Sequence, residues 1–117
     1  MNYVDGFVLA VPTKNKESYK TGAEKFAIVF KEHGALSIVE CWGDDVPAGK
    51  LTSFPTAVQC KPDETVVFSW IIWPSRVVRD EANKKVMADP RMKALEDSMP
   101  FDGKRMIYGG FQMILEA

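Results

Sequence analysis

The sequence predicts an α+β domain in which an antiparallel sheet carries helices on one face. Residues 65–73 are almost all β-branched or aromatic, which is typical of a central strand too short to span a membrane. Pro74 cannot donate to a sheet ladder and Ser75 caps helices well, so a helix should follow at once. The full order of elements is the βαββαβ pattern of a ferredoxin-like domain.

Composition and charge limit the classes of protein to consider. The chain has 117 residues, of which 46% are hydrophobic and 26% charged, as expected for one globular domain spanning residues 1–117. The formal net charge is -1 and no long basic run occurs. Because phosphate contacts need clustered Lys and Arg, we expect no nucleic-acid partner, and no segment predicts a membrane partner.

The two cysteines indicate a reduced environment. Cys41 and Cys60 lie in apolar stretches without a CxxC motif or a histidine at ligand spacing, so we expect packed thiols and predict no metal or cofactor. Residues 1–5 lack the features of a signal peptide, which favours a cytoplasmic location.

The first strand, residues 3–11, alternates bulky and small side chains. The small ones are Val4, Gly6, Val8 and Ala10. Since small side chains allow a helix to approach a sheet closely, we expect this face to lie under the helices. Asn15 is the expected N-cap of a helix over 16–33, which has one apolar stripe and ends before Gly34.

The remaining elements follow from turn and capping signals. We expect a second strand over 35–44, a long loop over 43–53, an optional short strand over 54–60, a helix from 76 to about 88, a short helix over 90–98 and a last strand over 105–115. Asp89 and Pro90 supply the cap and first turn of the short helix.

The second face of the predicted sheet needs a cover. Tyr3, Phe7 and Leu9, with Tyr108 or Phe111, would make that face too apolar to remain in water. A homodimer that packs sheet against sheet would bury about 1,200 to 2,000 Å² or more.

Several blocks of sequence resemble one known family. These are residues 3–8 (YVDGFV), 34–42 (GALSIVECW), 78–80 (VRD) with 82–83 (AN), 89–92 (DPRM) and 99–111 (MPFDGKRMIYGGF). Together they resemble the YbaA family of small uncharacterised bacterial proteins over nearly the whole chain. The resemblance implies a dimeric α+β barrel, a superfamily that also contains cofactor-free antibiotic-biosynthesis monooxygenases, small isomerases and haem enzymes. It implies no particular reaction.

The chain offers several candidate site residues. Arg105 could hold a carboxylate or enolate oxygen and Tyr108 could form a hydrogen bond, although both could also serve a turn and the cover of the sheet. Asp5 and Glu40 are carboxylates in otherwise apolar strands. If buried, either could accept a proton, or it could pair with an arginine across the dimer.

Aromatic and helical residues add a possible binding wall. Trp42, Trp70 and Trp73 could line a pocket or belong to the core, and Trp70 and Trp73 should point to opposite faces. Arg79 lies on the helix after the central strand, on a face that could border a pocket or solvent. His33, the only histidine, is explained by its place at a helix end.

These residues leave two classes of function open. Trp42, Arg79, Arg105 and Tyr108 could converge on one cavity that binds a small aromatic or anionic ligand. The alternative is a cofactor-free monooxygenase or isomerase in which Arg105, Tyr108 or Asp5 handles the proton and the oxyanion. A structural or partner-binding dimer is the non-catalytic counterpart, and the sequence identifies no catalytic residue on its own.

Overall fold

The computed structural model describes residues 1–117 as a four-stranded sheet with four helices. The strands are β1 (Tyr3–Pro12), β2 (Ser37–Trp42), β3 (Glu64–Trp73) and β4 (Ile107–Gln112). The helices are α1 (Lys16–Glu32), α2 (Phe54–Ala57), α3 (Arg76–Ala88) and α4 (Pro90–Ser98). The strand order is β2-β3-β1-β4 and all neighbours are antiparallel, which confirms the α+β class with an antiparallel sheet.

β3 is central, as its composition predicts, and leads into α3 as expected. It pairs with β1 from Tyr3 opposite Trp73 to Pro12 opposite Glu64, and with β2 on its other side. The Ser75 hydroxyl accepts a hydrogen bond from the Val78 N–H at 3.2 Å and so caps α3.

The caps of the other two long helices differ. The Asp89 carboxylate accepts from the Arg91 N–H at 3.0 Å and caps α4, with Pro90 in the first turn, as predicted. The predicted Asn15 cap is wrong, because its side chain makes no capping bond. A 3-10 turn at Thr13–Asn15 leads into α1, so Asn15 has φ -98° and ψ 16° and lacks the extended backbone of a capping residue.

The faces of β1 are the reverse of those predicted. Tyr3 packs beneath the helices with Trp73 and Ala82, and Leu9 and Val11 pack there with Tyr19. The small residues Val8 and Ala10 lie on the opposite face, against Val58 and Val66. Bulky side chains fill the space between helices and sheet, whereas the small face receives the segment that contains fully buried Val58.

Two predicted strands also change. Residues 54–57 form the single-turn helix α2 instead of a strand, because the Ser53 hydroxyl caps the Thr56 N–H at 3.0 Å and Pro55 has no N–H for a ladder. The last strand is shorter than predicted, since Gly103–Arg105 forms a 3-10 turn capped by Asp102.

The face of the sheet away from α1, α3 and α4 remains partly open. It exposes Phe68 by 45%, Ile107 by 46% and Phe111 by 61%. The sequence predicts an apolar face away from the helices formed by Tyr3, Phe7 and Leu9 with Tyr108 or Phe111. Tyr3, Phe7 and Leu9 lie under the helices instead, and only Phe111 lies on the open face. None of the helices combines the length and the apolar character needed to cross a membrane.

Candidate functional site

A cavity of about 260 Å³ lies between the helices and the sheet. We call it the inner cavity. It is bounded by Phe26 and Phe30 of α1, Ile38 and Glu40 of β2, and Met99 and Phe101 after α4. Thirteen of its sixteen lining residues are hydrophobic. Ligand sites are typically apolar with a few polar groups, and this volume suits a compact molecule.

A second hollow of about 340 Å³, the outer groove, lies between α1 and β2. Its outer rim carries Lys16, Lys20 and Trp42, and the Lys16 ammonium lies 5.6 Å from the centre of the Trp42 ring. It shares four lining residues with the inner cavity: Tyr19, Ala23, Ile38 and Glu40. The two hollows therefore meet at these residues.

Tyr19 and Glu40 form the polar pair at this boundary. The Tyr19 hydroxyl donates to both carboxylate oxygens of Glu40, at 2.9 and 3.0 Å. Burial is the main cause of a strongly raised pKa of Tyr19, and the Glu40 charge adds to it, so the phenol stays a donor. Glu40 lies on an edge strand and is exposed overall, yet the partial burial of its carboxylate raises its pKa, while hydrogen bonds from Tyr19 and Ser69 oppose the rise. No ion pair of the structure includes Glu40.

Asp5 and Arg79 form a satisfied pair inside the chain. The buried Asp5 carboxylate accepts from the Trp73 indole N–H at 2.9 Å and from Arg79 Nε at 3.1 Å, and Arg79 Nη2 lies 3.0 Å from it in an ion pair. The Arg79 guanidinium also lies 5.0 Å from the Tyr3 ring centre and contacts Asp80 at 2.7 Å. Hydrogen bonding to Asp5 raises the pKa of Arg79. The arginine that pairs with Asp5 thus comes from the same chain, without a dimer.

Arg105 is held at the other end of the sheet. It donates two bonds of 2.7 Å to the Glu64 carboxylate, one of 3.1 Å to Asp102 and one of 2.9 Å to the Gln59 carbonyl. Hydrogen bonding from Arg105 is the main reason why the pKa of Glu64 falls to about 2. Only 5% of the Glu64 side chain and 14% of the Arg105 side chain are exposed.

The structure does not bring the four predicted binding residues together. Arg79 is bound by Asp5, near the start of β1, whereas Arg105 is bound by Glu64, which lies opposite Pro12 at the end of β1. Asp5 and Pro12 are about 23 Å apart at the rise of an extended strand. Tyr108 is 74% exposed and stacks on Phe7 at 6.3 Å. Of the four, only Trp42 borders either of these two hollows, namely the outer groove. Binding by Arg79, Arg105 and Tyr108 stays a prediction.

The sequence signals pointed to Glu40 but not to Tyr19. Tyr19 belongs to the apolar stripe of α1, and its hydroxyl was the available signal, because a buried tyrosine usually requires a hydrogen-bond partner. A carboxylate in an apolar strand on the same side of the sheet is such a partner.

The comparisons with known proteins agree with this fold and name no activity. The family described as “Protein of unknown function (DUF1428)” matches residues 2–103. The chain is 61% identical over 116 residues to “Uncharacterized protein YbaA” of Escherichia coli (strain K12), with 99% of both chains covered, and shows the same values against the protein of that name from Shigella flexneri. The solved structure of Rv0793 from Mycobacterium tuberculosis superposes with a TM-score of 0.59 at 11% identity, covering 100% of this chain and 99% of that one. At that identity the similarity concerns the fold alone.

Proposed function

The chain belongs to the DUF1428 family, for which no activity is described, and we propose that it binds a compact aromatic molecule in the inner cavity. The observation that carries the proposal is an apolar chamber with a hydrogen-bonded polar pair, Tyr19 with Glu40, at its edge. Such a site combines desolvation of a flat ligand with one point of orientation. Flexible methionines in the wall, such as Met99, adapt to ligands of slightly different shape.

An anionic ligand is the alternative within the same class. Its support is confined to the outer groove, where Lys16 and Lys20 lie near Trp42. A flat anion could stack on the indole there with its charge toward the two ammonium groups.

A filled-cavity variant tests the proposal. We expect 2-naphthol to bind the wild-type protein and to raise its melting temperature, since a ligand at 100 times its dissociation constant stabilises a fold by ~2.7 kcal/mol. Ala23→Phe places a ring in the region shared by both hollows and should abolish this shift. Ala27→Phe, which faces the outer groove only, is the matched control and should retain it. Equal shifts in both variants would contradict the proposal, as would the failure of every small aromatic probe to bind.

A cofactor-free isomerase or monooxygenase is the second candidate, and the raised pKa of Glu40 favours it. A carboxylate with a raised pKa beside an apolar chamber is suited to accept a proton from an enolisable ligand. We expect the protein to accelerate deuterium exchange at the α-carbon of 2-tetralone, measured by NMR, and Glu40→Gln to remove the acceleration. No acceleration by the wild-type protein would leave only the binding function.

We further propose a cytoplasmic homodimer with the ferredoxin-like arrangement and sheet-to-sheet packing of a dimeric α+β barrel. Its support is the strand order together with the exposed rings of Phe68 and Phe111 on the open sheet face. The two free cysteines are compatible with a reducing compartment. A stable dimer should bury about 1,200 to 2,000 Å² in total.

Light scattering after gel filtration tests the dimer. The wild-type protein should have twice the mass of one chain, and Phe68→Glu should convert it to a monomer by placing a charge in the apolar interface. Val77→Glu, at a 72% exposed position on α3, should remain dimeric. A monodisperse wild-type monomer at micromolar concentration would rule the dimer out.

A further inference from the structure

The charges around the inner cavity are all of one sign. Its sixteen lining residues include two carboxylates, Glu40 and Glu96, and no lysine, arginine or histidine. Both residues are exposed overall, but only the Glu40 carboxylate lies at the boundary with the outer groove and accepts hydrogen bonds from the buried Tyr19. An anion in this chamber would meet only negative charge, so the cavity selects against anionic ligands.

Glu40 also lacks the cationic partner that a partly buried carboxylate normally has. Its side-chain hydrogen bonds come from the neutral hydroxyls of Tyr19 and Ser69, and Lys16 and Lys20 of the outer groove form no ion pair with it. Asp5, by contrast, is neutralised by Arg79. A carboxylate next to apolar walls is stabilised most by a hydrogen-bonded cation, and no side chain supplies one here.

The walls of the inner cavity, which Glu40 also lines, are rich in aromatic rings. Phe26 and Phe30 of α1 line the chamber, and the Phe101 ring meets Tyr19 edge-on at 5.8 Å between centres. The faces of aromatic rings attract organic cations, most strongly where water is excluded. Aromatic rings and a carboxylate without a cationic partner, lining one cavity, are the combination that recognises an organic ammonium ion.

We infer that the ligand of the inner cavity is a compact aromatic amine in its protonated form, with its ammonium group bound to Glu40 and its apolar body between the α1 phenylalanines and the sheet. This inference rests on the proposed binding function and adds the charge of the ligand. The ammonium group would donate to the carboxylate oxygens that already accept from Tyr19, since each oxygen has a further lone pair.

Three probes of nearly equal shape test the inference: 2-naphthylmethylamine, 2-naphthylmethanol and 2-naphthoate, each titrated calorimetrically into the full-length protein at pH 7. We expect the amine to bind at least tenfold more tightly than the alcohol and the naphthoate to bind most weakly. Glu40→Gln should weaken amine binding by about ten- to a hundredfold, the range for a hydrogen bond to a charged group, and change alcohol binding little.

Two further variants separate a specific contact from a general effect of charge. Tyr19→Phe keeps the carboxylate and should retain the preference for the amine. Glu24→Gln removes a carboxylate of α1 that faces only the outer groove, and it should leave all three affinities unchanged.

The possible results distinguish the inference from the proposal beneath it. Equal binding of the three probes to the wild-type protein would overturn the amine inference and leave the binding function standing. An equal loss of amine binding in Glu24→Gln and Glu40→Gln would also overturn it, because the effect would then come from surface charge. Absence of binding by all three probes, with 2-naphthol also failing, would overturn both.

Discussion

Replacing Arg105 by methionine should lower the stability of the fold and leave ligand binding unchanged. The change keeps much of the apolar stem but removes the two 2.7 Å bonds to the Glu64 carboxylate. The pKa of Glu64 is 4.5 without its partners and about 2 in the folded chain, a difference equivalent to about 3 kcal/mol of stability. Solvent reaches the cluster through Asp102, whose side chain is 46% exposed, so screening reduces the expected loss to about 1 to 2 kcal/mol.

The loss should depend on pH in a defined direction. A carboxyl group whose pKa is lowered by folding stabilises the protein above its unfolded pKa, and this contribution disappears as the pH falls through the folded pKa. The difference in unfolding free energy between the wild-type protein and Arg105→Met should therefore be constant from pH 7 to about 5.5 and decrease between pH 4.5 and about 2.

Urea denaturation across this pH range measures the effect. Glu64→Gln supplies the control background, in which Arg105→Met should cost clearly less because the charged partner is absent. A difference that is the same at pH 2 and pH 7 would refute the reasoning. Loss of probe binding in Arg105→Met with unchanged stability would instead support the ligand-binding role that the sequence suggested.

Three further predictions concern strand packing, the Glu40 carboxyl and helix capping. Gly110→Ala should cost about 1 to 3 kcal/mol in urea denaturation, because a methyl group there overlaps Arg79 and Tyr3, whereas Gly109→Ala should cost little since it meets only Phe111, at 3.6 Å; equal losses would contradict this. Glu40→Gln should unfold at pH 7 with the same melting temperature as the wild-type protein or a higher one. As the pH falls through the raised pKa of Glu40, the melting temperature of the wild-type protein should rise relative to that of the variant. A relative fall on acidification would disprove the raised pKa. Ser75→Ala should cost about 1 kcal/mol and Asn15→Ala much less, because only Ser75 makes a capping bond; the opposite order would show that the caps are misassigned.

The elements that the sequence predicts well are those with local signals. The junction between β3 and α3 depends on Pro74 and Ser75, and the start of α4 depends on Asp89 and Pro90, all within a few residues of the boundary. Capping and the geometry of proline act over such distances, so no knowledge of the rest of the fold is needed.

The orientation of β1 could not be predicted in the same way. Alternation along β1 separates a bulky face from a small one, but either can lie under the helices. The outcome depends on Tyr19 and Trp73, which are distant in sequence and fill the space beneath the helices together with the bulky face. The prediction of a strand over residues 54–60 was wrong for a local reason. Ser53 and Pro55 are signals for the start of a helix, but the apolar residues that follow favoured the strand interpretation.

The candidate site shows the same division between local and distant information. Asp5 and Glu40 look alike in sequence, because each is a carboxylate in an apolar strand. In the structure both lie on the helix side of the sheet. Their partners separate them, because Asp5 meets the cation of Arg79, 74 residues away, whereas Glu40 meets only neutral hydroxyls, those of Tyr19 and Ser69. A charge neutralised within the chain has little need for a ligand, whereas an unneutralised one beside a cavity gains from binding a cation. Charge balance, which only the folded chain determines, therefore assigns Asp5 to the structure and Glu40 to the site.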